Sequence, residues 1–475
     1  MTELPNGWER ARLDDVATVS GGIQKQPSRT PRRHTAPFLR VANVGSGTLN
    51  LDDVHEIEIS PDELERYQLR PGDLLVVEGN GSASQIGRAA RWRGEIPNCV
   101  HQNHLMRVRP DPAISSRFLE YLWMSPAVCE DVQARAASTS GLFVLTTRKI
   151  STVELVVAPL AEQERIVAAI EEAFSKLDAG EAGLRAVRQL LKRMRDAVLA
   201  AAVTGRLVPQ DPTDRPVAKV LADIGCDSLS PDEADVGIPS GWELVELASV
   251  LASPLSNGRS VRSREGGFPV LRLTALRNGR IDLDERKEGE WVAADAIPYL
   301  VEMGDFLVSR GNGSLCLVGR GGLVDVHPDP VAYPDTLIRV RVRGPLVHRP
   351  FLAMIWNSRV VREQLEAQAR TTAGIYKVNQ SMLAAVRLPL PPTQEQCRIV
   401  AEVERQLSYL DACEQVVDAE SARSAALRRS VLKAAFEGQL VPQDPSDEPA
   451  AVLLERIRTN RAAAPKRARR PSRTA

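Results

Sequence analysis

What this 475-residue chain lacks narrows its chemistry before anything it contains does. It has no excess charge of either sign, with 61 Lys plus Arg against 61 Asp plus Glu, so nothing draws the whole molecule to a polyanion. Any affinity for nucleic acid has to come from local patches. Its six cysteines (Cys99, Cys129, Cys226, Cys316, Cys397, Cys413) include no C-x-x-C pair, which argues against a disulfide framework and fits reduced thiols. No run approaches the roughly 18 apolar residues that span a bilayer, and Met1 to Trp8 shows neither the basic cluster nor the apolar stretch of a secretory signal. The expected location is the cytoplasm, with no membrane partner.

Catalytic signatures are missing too. No G-x-x-x-x-G-K-[S/T] loop occurs, since Gly-Lys is found nowhere, and no G-x-G-x-x-G follows a strand. No Ser/His/Asp order stands out, and Asp52-Asp53 and Glu171-Glu172 sit in solvated contexts. Cys99, His101 and His104 share one segment but have no fourth ligand and no counterpart around Asp335, which argues against a metal. Neither cofactor, metal nor catalytic residue is expected in this chain.

What is present is a duplication. Leu207-Val-Pro-Gln-Asp-Pro212 recurs as Leu440-Val-Pro-Gln-Asp-Pro445, an offset of 233. Glu162-Gln-x-Arg-Ile-Val-Ala168 recurs at the same offset as Glu395-Gln-x-Arg-Ile-Val-Ala401. Upstream, Pro5-Asn-Gly-Trp8 matches Pro239-Ser-Gly-Trp242, and Gly79-Asn-Gly-Ser82 matches Gly311-Asn-Gly-Ser314. Each copy thus runs from a Trp-containing entrance through a β-rich domain into a helix and a Pro-rich exit. Runs such as Gly72-Asp-Leu-Leu-Val-Val77 and Leu337-Ile-Arg-Val-Arg-Val342 read as strands. Trp123 and Trp356, at matching positions, read as core anchors.

The long helices are the most legible elements. Ile166, Ile170, Leu177, Leu184 and Leu191 fall on a 4-3 stripe that continues through Gly180, Val187 and Met194, the pattern of a coiled-coil seam. Ile399, Val403, Leu410, Val417 and Leu427 repeat it. A helix from Glu162 to Thr204 would be about 65 Å long, more than one small domain covers, so it needs a partner helix, which the second copy supplies. The expected organisation is a mixed α/β fold: domain 1–158, helix 159–206, linker 207–236, domain 237–391, helix 392–439, and a segment 440–475 whose basic end reads as disordered or as a non-specific phosphate contact.

Together, Pro-x-Gly-Trp at each entrance, Gly-Asp followed by apolar residues and Gly-Asn-Gly-Ser, Glu-Gln-x-Arg-Ile-Val opening each helix, and Gly-x-Leu-Val-Pro-Gln at each exit resemble the DNA-specificity subunits of type I restriction-modification systems, from Leu4 to about Arg458. The resemblance implies two target-recognition domains, each reading half of a split site in double-stranded DNA, joined by an antiparallel pair of helices that set the half-site spacing. It also implies two modification subunits bringing S-adenosylmethionine, and restriction subunits bringing ATP and Mg. A duplicated chain imitates a homodimer while letting the half-sites differ. One departure stands out. Arg310 precedes Gly311-Asn-Gly, as in the family, whereas Glu78 occupies that place in the first copy and argues against a phosphate role there.

The copies align worst where DNA-contacting groups are concentrated. The first divergent stretch carries Lys25, Gln26, Arg29, Arg32, Arg33 and His34, and its counterpart carries Asn257, Arg259, Arg262 and Arg264. Guanidinium groups suit both phosphates and the O6/N7 edge of guanine. The second carries Gln102 and Asn103, whose amides can bond adenine. A third, shared feature sets Ser138-Thr139-Ser140-Gly141 against Thr371-Thr372-Ala-Gly374, with Lys377 nearby, where small hydroxyls either cap a helix or bond phosphates. The competing reading is a coiled-coil adaptor that joins proteins and never touches nucleic acid.

Overall fold

The computed structural model describes residues 4–80, 82, 85–139, 142–226, 228–229, 238–372 and 374–463, and only the backbone of 80, 137–139, 142 and 372. The chain forms two compact units, and neither coincides with a sequence copy. One comprises Met1–Arg185 and Asp418–Ala475, the other Ala186–Val417. Each unit therefore combines the β-rich domain and first half-helix of one copy with the second half-helix and exit of the other.

In the first unit, four antiparallel strands lie in the order Ala17–Gly21, Leu105–Pro110, Leu74–Val77, Ala89–Arg91. The central strand is apolar at every position because both faces are covered. Leu74 and Val76 join the core that holds Phe118, Leu122 and Trp123. Leu75 and Val77 enter a second cluster with Leu39 and Trp92. The second unit repeats this with Phe306–Ser309 in a six-stranded sheet, Phe306 and Val308 facing Trp356 and Leu307 facing Tyr333. Trp123 and Trp356 are buried as expected of core anchors, and each indole N–H donates to a backbone carbonyl, Gly87 and Gly319 respectively, at 2.9 Å. The entrance strand Glu9–Arg12 pairs with Glu154–Val157, and Glu243–Glu246 with Arg387–Leu390, so each domain closes just before its long helix begins.

Part of the segment read as a linker belongs to the fold. Its residues form the helix Val217–Asp223, with Val217 and Leu221 buried in the same core as Trp242 and Leu247. At the repeat offset, Ala450–Ala463 does the same in the first unit, burying Ala450, Leu453, Leu454 and Ile457 beside Leu13 and Val16. Pro212, Pro216 and the surrounding acidic residues masked the short apolar spacing of the first of these helices.

The long helices run Leu160–Val203 and Thr393–Phe436. They pack against each other antiparallel within each unit: Asp178 and Glu181 meet Arg428 and Ser424 in the first, and Arg195 meets Asp411 and Glu414 in the second. Ile166, Ile170, Leu191, Ile399, Val403, Leu410 and Val417 are buried, and Leu177 and Leu184 half-buried, as the stripe requires. Leu427 is a correction. It is 46% exposed, as are its repeat counterpart Met194 (44%) and Val187 (42%). A 4-3 pattern has two phases that share every second position, and hydrophobicity alone points to the wrong one here. The seam instead takes Phe174, Glu181 and Arg195 on one helix and Glu414 and Arg428 on the other, because these charges are paired there. Among the described residues no helix is long and apolar enough to cross a membrane.

Candidate nucleic-acid interface

Each β-rich domain is held by a Gly-Asp turn. Gly72 and Gly304 adopt positive φ (96° and 92°), which a side chain would strain, and the following aspartate is buried. Asp73 accepts the Arg70 amide at 2.7 Å and binds the Arg109 guanidinium through both oxygens, at 2.6 and 2.7 Å. Asp305 takes the Glu302 amide and Arg341 in the same way. A buried carboxylate fully paired in this manner fixes the turn to the neighbouring strand.

On that frame the two divergent stretches of each domain, distant in the chain, come together. The Ile23 amide donates to His101 O (2.8 Å) and the Asn103 amide to Ile23 O (2.9 Å). A Cβ on Gly22 would lie 2.3 Å from His101 O, so only glycine allows this approach. In the second domain Gly258 packs as closely on Tyr333 and Pro334, and its amide bonds Leu337 O. The hydrogen bonding then runs on. The Glu78 amide donates to His104 O and Leu145 to Glu78 O; correspondingly, Arg310 donates to Thr336 O and Val378 to Arg310 O. Gly79–Asn80 pairs with Leu142–Val144, itself paired with Ala137–Thr139, and Gly311–Asn312 pairs with Ile375–Lys377 and through it with Arg370–Thr372. The turn motif and the hydroxyl-rich stretch thus form one three-stranded sheet beside the divergent loops.

Individual side chains differ in availability. Lys25, Gln26, Arg32, Arg33 and His34 are exposed, as are Arg259, Arg262, Arg264, Thr371 and Lys377. Gln102, Asn103 and Asn257 are half-buried, and Asn257 Oδ1 has no hydrogen-bond partner among the described residues. Arg310 is half-buried with a guanidinium nitrogen 3.5 Å from Asp335 O. Of Thr139 and Thr372 the backbone lies in the hairpin strands, and Ser140 lies outside the described residues. Arg29 is engaged inside the protein: it grips Glu63 at 3.2 and 2.7 Å, which holds that carboxyl down at about 2. His101, a metal candidate by its place in the sequence, is a core residue whose burial pushes its pKa down to about 4. Burial raises the Glu78 carboxyl and the nearby His104 opposes this, so the first domain presents an acid where the second presents Arg310.

Two acidic residues went unread in the sequence. Glu58 accepts the backbone amides of Arg32 (2.7 Å), Arg33 (3.0 Å) and His34 (3.1 Å). Glu63 both clamps Arg29 and completes a capping box with Ser60 on the helix Pro61–Tyr67. The Ser60-x-x-Glu63 spacing is a readable helix start.

The repeated helix-opening motif proves to be a lock. Glu162 accepts the Trp8 indole N–H at 2.9 Å, and Glu395 that of Trp242 at 3.0 Å. Gln163 and Gln396 are buried and bond the backbone at Ala158 and Ser115, and at Pro391, Leu346 and His348. Arg165 pairs with Asp447 and Arg398 with Asp214, both at 2.6 Å. In each pair the arginine opens one copy's helix and the aspartate belongs to the other copy's exit. Glu162→Ala would leave a buried indole N–H without an acceptor and is expected to cost about 1–3 kcal/mol. Faster amide exchange around residues 5–12, against unchanged exchange around 239–246, would register it.

No family model matches the chain. Curated proteins do, along nearly its full length. The EcoKI specificity subunit of Escherichia coli (strain K12) is 27% identical over 97% of both chains. The StySPI specificity subunit of Salmonella potsdam is 26% identical over 97% of this chain and 96% of its own. The EcoBI specificity subunit of Escherichia coli is 28% identical over 98% and 94%. Among solved structures, the HsdS subunit from Thermoanaerobacter tengcongensis superposes with a TM-score of 0.51 at 18% identity, over 92% of this chain and 98% of that one. A chain from a structure addressing complex assembly of the type I R-M system gives 0.63 at 19% identity, over 92% and 100%. These last two speak for the fold, and the full-length relatives show that the chain is similar along nearly its whole length to type I restriction enzyme specificity subunits.

Proposed function

We propose that this chain is the DNA-reading, non-catalytic subunit of a type I restriction-modification complex, each recognition domain reading one half of a bipartite site. The observation that carries the reading is the meeting, in both domains, of two divergent stretches beside one shared hairpin, both stretches rich in basic or amide groups in the first domain and one of them in the second. A scaffold common to both copies with variable loops on it is what two different half-sites demand. A pure adaptor would have no use for such loops.

Chemistry then belongs to cytoplasmic partners, with S-adenosylmethionine in modification subunits and ATP with Mg in restriction subunits. The helices scaffold the modification subunits and set the half-site spacing. Val187, Leu190 and Met194, exposed at helical spacing on the first long helix, form an apolar stripe suited to a helix of the modification subunit.

Joint replacement of Lys25, Arg32 and Arg33 by alanine tests the reading. Arg29 is left in place because it supports the loop. The slope of log affinity against log salt is expected to fall by about 2–3, near 0.9 for each phosphate no longer neutralised, and methylome sequencing should show one half-site relaxed. An adaptor would show neither change.

A further inference from the structure

A loop that carries several arginines gains affinity for any phosphate backbone, but it discriminates between bases only if its own backbone is held, because each conformer it can adopt offers its donors to a different edge. The basic loop of the first domain is held by acids. Glu58, at the end of the strand His55–Glu58, collects the three successive amides of Arg32, Arg33 and His34, and the Ile59 amide returns a bond to His34 O at 2.9 Å. The Arg29–Glu63 clamp fixes the middle of the same loop to a capped helix. The side chains of Arg32, Arg33 and His34 remain exposed on this tethered backbone.

The second domain reaches the same result with different residues. On the equivalent strand Arg286–Gly289, Glu288 accepts the Gly266 amide at 2.6 Å, and Lys287 Nζ donates to Val261 O at 2.8 Å. The Glu290 amide donates to Arg262 O at 2.8 Å. A carboxylate beside arginines that approach DNA opposes phosphate binding, so its presence in both domains at the base of the divergent loop points away from affinity.

Resting on the DNA-reading function proposed above, we infer that Glu58 and Glu288 are positioning residues for sequence specificity: each fixes the backbone of its domain's basic loop, so that the loop's side chains meet base edges in a single geometry. Affinity and discrimination are then separable, the arginines supplying the first and the acids the second.

The test is a crossed methylome experiment, with the full chain and its modification subunit co-expressed in a host without adenine methylation. Wild-type protein should yield a bipartite motif; if it yields none, the DNA-reading function itself fails, whatever the variants do. Given the motif, Glu58→Ala should lower discrimination against mismatches about tenfold or more in one half-site and leave the other sharp. Glu288→Ala should do the reverse. Binding to DNA without the motif should hold or rise, since a negative charge has been removed. Should Glu58→Ala not accumulate as folded protein, Glu58→Gln, of the same size and with one carbonyl acceptor, is read the same way. Sharp half-sites in both variants, loss in both half-sites from one substitution, or parallel loss of non-cognate binding would each overturn the inference.

Discussion

Trp356→Ala is expected to unfold the recognition domain of the second unit while that of the first stays folded. The indole is fully buried, packs edge-on against Phe306 at 5.7 Å between ring centroids, and gives its N–H to Gly319 O. Removing a buried tryptophan costs about 3–5 kcal/mol through lost transfer energy and the cavity left behind. Here a backbone carbonyl loses its partner as well. That is a large share of the roughly 5–15 kcal/mol that holds a typical domain. Collapse is a poor remedy, because the wall opposite is Gly321, where even a Cβ would lie 2.8 Å from the indole. Hydrogen exchange followed by mass spectrometry should show protection lost across 306–356 and retained across 74–123. Trp123→Ala should give the mirror image through Gly87 O. Joint loss of protection in both domains from either substitution would show that the two cores do not fold independently.

Reversing one charge at the helix seam should have the next largest effect. Arg428 is 24% exposed, bonds Asp178 and Glu181, and lies over the Phe174 ring at 5.0 Å. Arg428→Glu would place a third carboxylate against the two already there, so the charge-assisted bonds are lost and repulsion replaces them. A cost of about 1–3 kcal/mol is expected, visible as a lower urea midpoint. Adding Glu181→Arg should recover part of it. Leu427→Glu, one residue away but outside the seam, should change stability by no more than about 0.5 kcal/mol. If Leu427→Glu proved the more damaging, the seam would follow the apolar phase after all.

The contrast between those neighbouring residues shows what a sequence discloses and what it withholds. The duplication, the entrance tryptophans and the helix-opening motif were legible because identical letters recur at nearly one offset, 232 to 234 residues. Strands such as Leu74–Val77 were legible because a strand covered on both faces is apolar throughout. The seam's phase was not, because hydrophobicity favours Leu427 and Met194, whereas the pairing that favours Arg428 and Arg195 depends on carboxylates on another helix. Arg29 looked like a DNA contact for the same reason: its guanidinium is indistinguishable from that of Arg32 until Glu63, 34 residues away, is folded against it. The meeting of Gly22 and Ile23 with His101 to Asn103 was likewise beyond reach, since Gly22 advertises a close approach but not what approaches. The helix Val217–Asp223 was hidden because three large apolar residues in a seven-residue helix behind two prolines carry too little periodicity.

The arginine–aspartate locks, Arg165 with Asp447 and Arg398 with Asp214, make the two copies mutually dependent in structure. A change in one copy's exit is felt at the other copy's entrance, so neither half is free to drift by itself. Both lock aspartates stand two residues beyond the exit segment Leu-Val-Pro-Gln-Asp-Pro that the copies share letter for letter, so the stretch where the copies are most alike is also where each is fastened to the other.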